Sequence, residues 1–349
     1  MINLLKTLSD MGGISGFEGA VAPKIGELLK AYCDDITVDK GGNVVGMIYA
    51  EKKDAPTVMI EAHMDGIGLM VKEITDRGFL TFVPIGGIDP RILPSCEVVV
   101  CGKKELYGVI GAKPPHLQSA DDRKKAPKME DMAIDIGMTK EEAMQVVSVG
   151  DMVYFKTEAM ELANGLFSGK YLDDRAGVVS LLHCLEQLKG KKLPFHLAVL
   201  CAAQEEVGLR GAVMGTYNIA PTVAFVVDVC HGNTPDSGSD SIFKPGSGTV
   251  LSLGPNIHPG LSFLAKKVAE EKEIPFSVDV DGGDTGTDAW AVQVSGTGVA
   301  TLLLSIPLRY MHTTVETLSI DDVKATGNLL AEMLLTIKPE DYEICILKR

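Results

Sequence analysis

Glu205 and Glu206 stand side by side where the apolar run LAVLCAA gives way to Gln204 and then to the glycines Gly208 and Gly211. Adjacent acids at such a point can divide their work, one fixed as a metal ligand while its neighbour keeps a lone pair for a proton. Acidic pairs are also ordinary solvated surface steps, so this one gains meaning from its company. A second apolar run, residues 56–63, ends in His63, with Asp65 two places on. In an extended chain residues at that spacing point to one side, so the carboxylate reaches one imidazole nitrogen and leaves the other free for a metal. A third run, VAFVVD, ends in Asp228 with Cys230 and His231 just beyond. A carboxylate after so apolar a stretch is costly unless it is paired or bound to a cation. Asp173 lies in YLDDRAGV, and His312 follows a last apolar run over residues 299–305. Together His63, Asp173, Glu206, Asp228 and His312 offer nitrogen and oxygen ligands, a mixed set that suits zinc and on which cobalt or manganese is chemically acceptable. Two divalent ions would balance three carboxylates and one hydroxide. Two competing readings stand beside this one: Asp173 and Asp174 as acids in a first helical turn, and Cys230 or His231 as the ligand in place of Asp228.

Elements of definite kinds must position these residues. Continuous apolar runs suit strands buried on both faces of a parallel sheet, and in such sheets ligands gather beyond the carboxyl ends of strands. Helices are predicted over 19–33, where Val21, Ile25, Leu28 and Leu29 recur at helical spacing, over 170–190, over 261–272, and from Ser319 onward. Strands over 36–38 and 44–49 flank a glycine-bearing turn and read as a hairpin. Between Leu69 and Leu162 the texture changes to short strands with frequent turns, interrupted by one helix with Thr139 and Glu142 at capping-box spacing. The polar stretch 114–132 is expected to be an exposed, mobile loop. The fold class expected is α/β, a mixed, largely parallel central sheet flanked by helices with an inserted small β-barrel-like domain. The boundaries expected are 1–68 with 163–349 for the catalytic part and 69–162 for the insertion.

Composition excludes several partner classes. The 349 residues carry a formal net charge of −14, which opposes nucleic acid and anionic membranes at long range. No apolar run approaches the roughly 18 residues of a membrane-spanning helix, and the first residues lack a signal-peptide pattern, so a cytoplasmic protein is expected. Seven cysteines without a CxxC pair read as reduced thiols, not as a disulfide framework or zinc finger. The loop GGDTGTDA, from Gly282, lacks the GxxxxGK[ST] pattern of a phosphate-binding loop.

The strings EAHMDGIGLMV, YLDDRAGV, AAQEEVGLRGA, VVDV with His231-Gly232 beyond it, GTDAW and IPLRYMHTTVE resemble, in order, the motifs of the dinuclear metallo-aminopeptidases of the glutamyl aminopeptidase or tetrahedral (TET) type. Members of that family have often been labelled cellulases or endoglucanases. The resemblance covers essentially the whole chain and implies a zinc-exopeptidase-like fold with two divalent metal ions per subunit. It places His63 on one ion and His312 on the other, with Asp173 bridging and with Glu206 and Asp228 each completing a set. Asp65 would orient His63, and Glu205 would be the general base toward a metal-bridging hydroxide. It further implies removal of N-terminal residues from short peptides and a homo-oligomer. Twelve-subunit tetrahedral shells, built through the β domain and neighbouring surfaces, are frequent in the family, and the insertion is accordingly expected to serve oligomerisation and access control. Asp174 and Arg175 accompany the bridging aspartate without a catalytic role. Two departures stand out: Gly66 where the family commonly has Glu, and GGDTGTDA where it commonly has GGGTDA. Both bear on the surroundings of the site and on specificity.

Rival activities remain at this level. A metal-dependent deacylase or amidohydrolase would use the same two-metal logic. A glycoside hydrolase built on Glu205 and Glu206 would leave His63 and His312 idle. A peptide-binding scaffold that kept its metals without turnover would have no use for Glu205.

Overall fold

In a computed structural model of the chain, residues 1–117, 119, 124–235, 237–238 and 241–343 are described. Strands Thr57–His63, His196–Ala202, Val223–His231 and Ala300–Arg309 form the centre of an 11-stranded sheet. All of their mutual pairings are parallel, in the spatial order 196–202, 57–63, 223–231, 300–309. Their side chains are buried almost throughout, as strands covered on both faces must be. Antiparallel strands extend both edges. The hairpin Asp35–Val38 and Val44–Ile48 adds to His196–Ala202. On the other side Glu316–Ser319, Leu166–Gly169 and Met160–Glu161 follow Ala300–Arg309. Thr249–Leu253 and its parallel neighbour Phe276–Val280 branch from Ala300–Arg309 as well.

Register brings the chemistry to one edge. Ala202 pairs with His63, Val226 with Glu61 and Asp228 with Ser305, so His63, the turn carrying Glu205, and Asp228 lie level with one another. Helix Leu172–Leu188 packs on strands Thr57–His63 and Val223–His231 and against helix Ile320–Thr336. The body is thus a mixed α/β fold whose central sheet is parallel, as the sequence leads one to expect.

The stretch that begins beyond His63 forms a closed antiparallel barrel, in the order Gly68–Ile74, Leu80–Ile85, Met132–Asp135, Glu105–Ala112, Glu97–Cys101, Met152–Phe155. Strand Glu105–Ala112 alternates exposed and buried residues, the period-2 signature of a strand with one face turned inward. The barrel encloses its own apolar cluster around Leu69, Val98, Ile134 and Phe155, separate from that of the sheet. Helix Lys140–Val146 carries both arms of the Thr139–Glu142 capping box.

Two local expectations change. The helix expected over 19–33 is a single 3-10 turn, Glu18–Ala20, followed by the shorter helix Ala22–Leu29. The strand carrying Asp228 continues to His231, because pairing with Ala300–Arg309 persists through Cys230 and His231. Asp228 therefore lies inside a strand and not beyond its end. The segment 114–132 contains the single turns Pro115–Leu117 and Met129–Asp131, and part of it lies outside the described residues. Among the described residues no helix is long and apolar enough to cross a membrane, and no cysteine is in a disulfide.

Candidate metal centre

His63 ends its strand fully buried, with its two ring nitrogens facing different carboxylates. Asp65 Oδ1 lies 3.6 Å from Nδ1, an electrostatic contact longer than a hydrogen bond, while Asp173 Oδ1 is 3.0 Å from Nε2. The two-residue spacing thus sets Asp65 on the Nδ1 side of the ring and Asp173 on the Nε2 side, with Nδ1 making no hydrogen bond among the described residues. Asp65 is held in turn by the hydroxyl of Ser15, and it accepts the amides of Glu205 at 3.0 Å and Glu206 at 3.2 Å. One buried carboxylate therefore ties the histidine to the turn that carries the acidic pair.

The two aspartates of YLDDRAGV separate by role. Asp174 Oδ1 accepts the Gly177 amide at 3.0 Å, the bond of a helix cap. Asp173 keeps extended backbone angles (φ −78°, ψ 105°) and turns its carboxylate to the site. The capping reading therefore holds for Asp174 and fails for Asp173. Arg175 has a structural part: its guanidinium donates to the carbonyls of Leu8, Met11, Gly12, Gly13 and Met64, pinning the N-terminal segment beneath the site.

His312 sits in a turn with φ 60°. Its Nδ1 is 2.9 Å from the carbonyl of Gly87, which lies in the loop leaving barrel strand Leu80–Ile85. A proton held there leaves Nε2 as the ligand atom. That nitrogen is 3.3 Å from Asp173 Oδ2 and 3.2 Å from Glu206 Oε2. A Cβ on Gly87 would come within 3.1 Å of His312 Nδ1, so a side chain there would press on the imidazole.

These side chains make two donor triads that share Asp173: His63, Asp173 and Asp228, and Asp173, Glu206 and His312. Within the first, His63 Nε2 is 4.0 Å from Asp228 Oδ1. A tetrahedral ion with ligands at ~2.1 Å would set them roughly 3.4 Å apart, so separations of 3.0 to 4.0 Å fit such an ion in each triad. Glu205 belongs to neither, although its Oε2 is 4.0 Å from His63 Nε2. Cys230 and His231 are absent from both triads and line the adjoining cavity. Burial pushes the Cys230 thiol far up, with Asp279 and Asp228 adding to the rise, so it stays a neutral thiol.

Burial and mutual charge govern the electrostatics of the cluster. Burial pushes Glu205 up to about 10, a rise that His63 opposes and that Asp228, Asp288 and Glu206 reinforce. Burial likewise pushes Asp228 up to about 7. Burial disfavours the His312 cation, yet the bonds to Asp173 and Glu206 outweigh it and carry this imidazole up to about 11. His63 is raised in the same way by Asp173 and Asp65. Asp173, opposed by burial, is held below the usual carboxylate range by His312 and His63. Divalent cations held on these donors would offset the crowded carboxylates directly.

Several contributors were not singled out from the sequence. Glu316, 2% exposed, accepts the amides of Leu172 and Asp173 through one oxygen and that of His312 through the other. Glu61 and Asp288 are buried carboxyls beside the cluster, both pushed well up by burial. An acid inside the run VMIEAH carried the same signal as Asp228 and could have marked Glu61. The departure at Gly66 also has a local cause: a Cβ there would meet the Tyr171 ring at 2.4 Å, so the ring occupies the side-chain space.

Residues 42–329 match the family described as M42 glutamyl aminopeptidase. The chain is 36% identical over 344 residues to the lysyl aminopeptidase of Pyrococcus furiosus, covering 97% of this chain and 98% of that protein. Among solved structures it is similar to an aminopeptidase from the archaeon Desulfurococcus kamchatkensis, with a TM-score of 0.91 at 35% identity over 98% of this chain and 96% of that one. It is also similar to the TET1 peptidase of Pyrococcus horikoshii, described as able to assemble into a tetrahedron or a large octahedral shell. There the TM-score is 0.84 at 34% identity, over 95% and 98% of the two chains. A likeness that spans the whole length, on a fold that gathers the motif residues at one sheet edge, makes this chain a peptide-bond hydrolase belonging to the M42 glutamyl aminopeptidase family.

Proposed function

We propose that the protein is a metal-dependent aminopeptidase that removes N-terminal residues from short peptides. His63, Asp173 and Asp228 hold one divalent ion, and Asp173, Glu206 and His312 the other. The observation that carries this reading is the position of Asp173, which offers one oxygen to each imidazole, at 3.0 and 3.3 Å, while Glu205 stands outside both triads. Zinc, or cobalt or manganese on the same donors, would polarise the scissile carbonyl and lower the pKa of water. Asp173 sets the spacing of the two sites. Asp65 orients His63 and, through the Glu205 and Glu206 amides, fixes the base relative to the ligands. Glu205 takes a proton from the attacking water and returns it to the leaving amine. With Glu206 engaged as a ligand, the acidic pair does not act as the two free carboxyls of a glycosidase.

The same reading divides the chain into a catalytic part, 1–68 with 163–349, and an inserted part, 69–162; the barrel's apolar cluster, drawn mostly from 69–162 with Ile14, Ile67 and Tyr171 packed into it, supports this division. The shells described for the Pyrococcus horikoshii relative support a homo-oligomer for this chain, a tetrahedral dodecamer among the forms expected. The contact of Gly87 with His312 supports a part for the barrel in access to the site. Among the described residues the cysteines are all free thiols, which suits work in the cytoplasm.

Metal-depleted protein, reconstituted ion by ion and assayed on aminoacyl anilides with free and acetylated amino termini and on β-glucan, tests the proposal. Activity should return with zinc or cobalt, on free termini only. Preference for the acetylated substrate would favour the deacylase, and turnover without any added ion would overturn the metal assignment.

A further inference from the structure

The two triads occupy one end of a cavity of about 580 Å³. Its remaining wall is built by strands and a loop that the hydrolytic machinery does not use. Asp279 lies on the edge strand Phe276–Val280, and Asp281 follows that strand directly. Asp279 Oδ1 accepts the Ser241 hydroxyl at 3.1 Å, and Asp281 Oδ1 accepts the Gly283 amide at 2.9 Å. These bonds fix both carboxylates from one side and leave each a second oxygen. Beneath them Ser252 and Ser305, 5% and 3% exposed, also line the cavity, and neither hydroxyl has a hydrogen-bond partner among the described residues. Both hydroxyls open on the cavity, where a donor on a bound molecule can reach them. Among the described residues no lysine or arginine lines the cavity. The lengthened loop GGDTGTDA contributes Thr285, Gly286 and Thr287 to the same wall.

We propose that Asp279 and Asp281, with the Ser252 and Ser305 hydroxyls, form the pocket for the side chain of a peptide's first residue and select a cationic one, lysine or arginine. The proposal rests on the aminopeptidase reading above. A lysine ammonium carries three donors and no acceptor, and this wall offers carboxylate and hydroxyl acceptors with no competing cation. An acidic first residue would bring a further carboxylate against two already present, and a leucine would offer no donor to either carboxylate or hydroxyl. The lengthened loop and the two aspartates then belong to one device, a negatively charged wall facing the reacting end of the cavity.

The experiment compares kcat/KM of the full-length, metal-replete protein on Lys-, Arg-, Leu- and Glu-p-nitroanilide, for the parent and for Asp279→Asn, Asp281→Asn and the double variant. Lysine and arginine should be preferred over leucine by about tenfold or more, and over glutamate by more than that. Each single variant should lower the Lys:Leu ratio by about tenfold, between the effect of a surface ion pair and that of a fully buried one. A parent that prefers leucine or glutamate overturns the proposal. So do variants that slow every substrate alike, since the aspartates would then hold the peptide's α-ammonium, common to all four. If a variant does not fold, the parent's ranking and its loss of lysine preference at high salt still decide. Absence of turnover on every anilide would defeat the aminopeptidase reading instead. The pocket is then read by calorimetric binding of lysinamide, leucinamide and glutamic acid amide to the parent, where equal affinities overturn it.

Discussion

Glu316 and Asp173 are joined backbone to side chain: the Asp173 amide donates to Glu316 Oε2 at 3.1 Å, and the other oxygen of that carboxylate accepts the His312 amide at 3.0 Å. One buried acid thus sets the distance between the ligand shared by both triads and the imidazole of the second. In Glu316→Gln one oxygen becomes an NH2 group that faces a backbone donor, so at least one of these bonds is lost. Occupancy of the second triad should weaken by roughly ten- to a hundredfold while the first ion stays, as measured by metal titration with circular dichroism as a check on folding. Two ions held at parental affinity would mean that Glu316 supports only the helix start.

Glu205→Gln separates chemistry from metal binding. The residue lies outside both triads, so two ions per subunit should be retained by elemental analysis. Turnover should fall by about two to four orders of magnitude, because an amide cannot accept the proton. Near-parental kcat would remove Glu205 from the role of base.

Asp173 and Asp174 are neighbours with opposite expected phenotypes. Asp173→Ala takes an oxygen from each triad and should strip both ions. Asp174→Ala removes the bond to the Gly177 amide and should cost about 1 kcal/mol of stability in denaturant unfolding while the ions remain. The reverse pattern would restore the capping reading to Asp173.

How far the sequence speaks can be seen from the same residues. His63 and the Glu205–Glu206 pair were legible because each closes an apolar run, and a buried strand that ends in a titratable group is costly without a partner. Asp228 was legible as a residue and misplaced as an element, since where a parallel strand stops is decided by its neighbour, Ala300–Arg309, and not by its own composition. The helix expected over 19–33 failed at its ends, where local periodicity says least. Glu316, Ser15 and Gly87 gave no readable signal because they act on partners far along the chain, Gly87 across 225 residues and through a backbone carbonyl. Gly66 was noticed as a departure, but only the Tyr171 ring above it explains why a side chain does not fit.

The imidazoles also make metal binding depend on pH. Burial disfavours their cations, yet bonds to Asp173 and Glu206 carry His312 up to about 11, and Asp173 and Asp65 raise His63. His312 therefore favours its protonated form at neutral pH, whereas a metal needs the neutral nitrogen, so binding there must release a proton. The sign follows directly: removing that proton becomes easier as pH rises, so apparent affinity should strengthen by about tenfold per pH unit for each proton displaced. Folding of the cation-free protein should run the other way. The stability contributed by the raised His312 value is fully present below about 6.5, the ordinary histidine value, and is lost as pH rises through about 11. Chelator competition from pH about 6 to about 8, with calorimetry in buffers of different ionisation heat to count protons, measures the first effect. An affinity flat across that range, with no proton released, would show the rings to be neutral before any ion arrives, and Asp173 would then hold them by ordinary hydrogen bonds and not by charge.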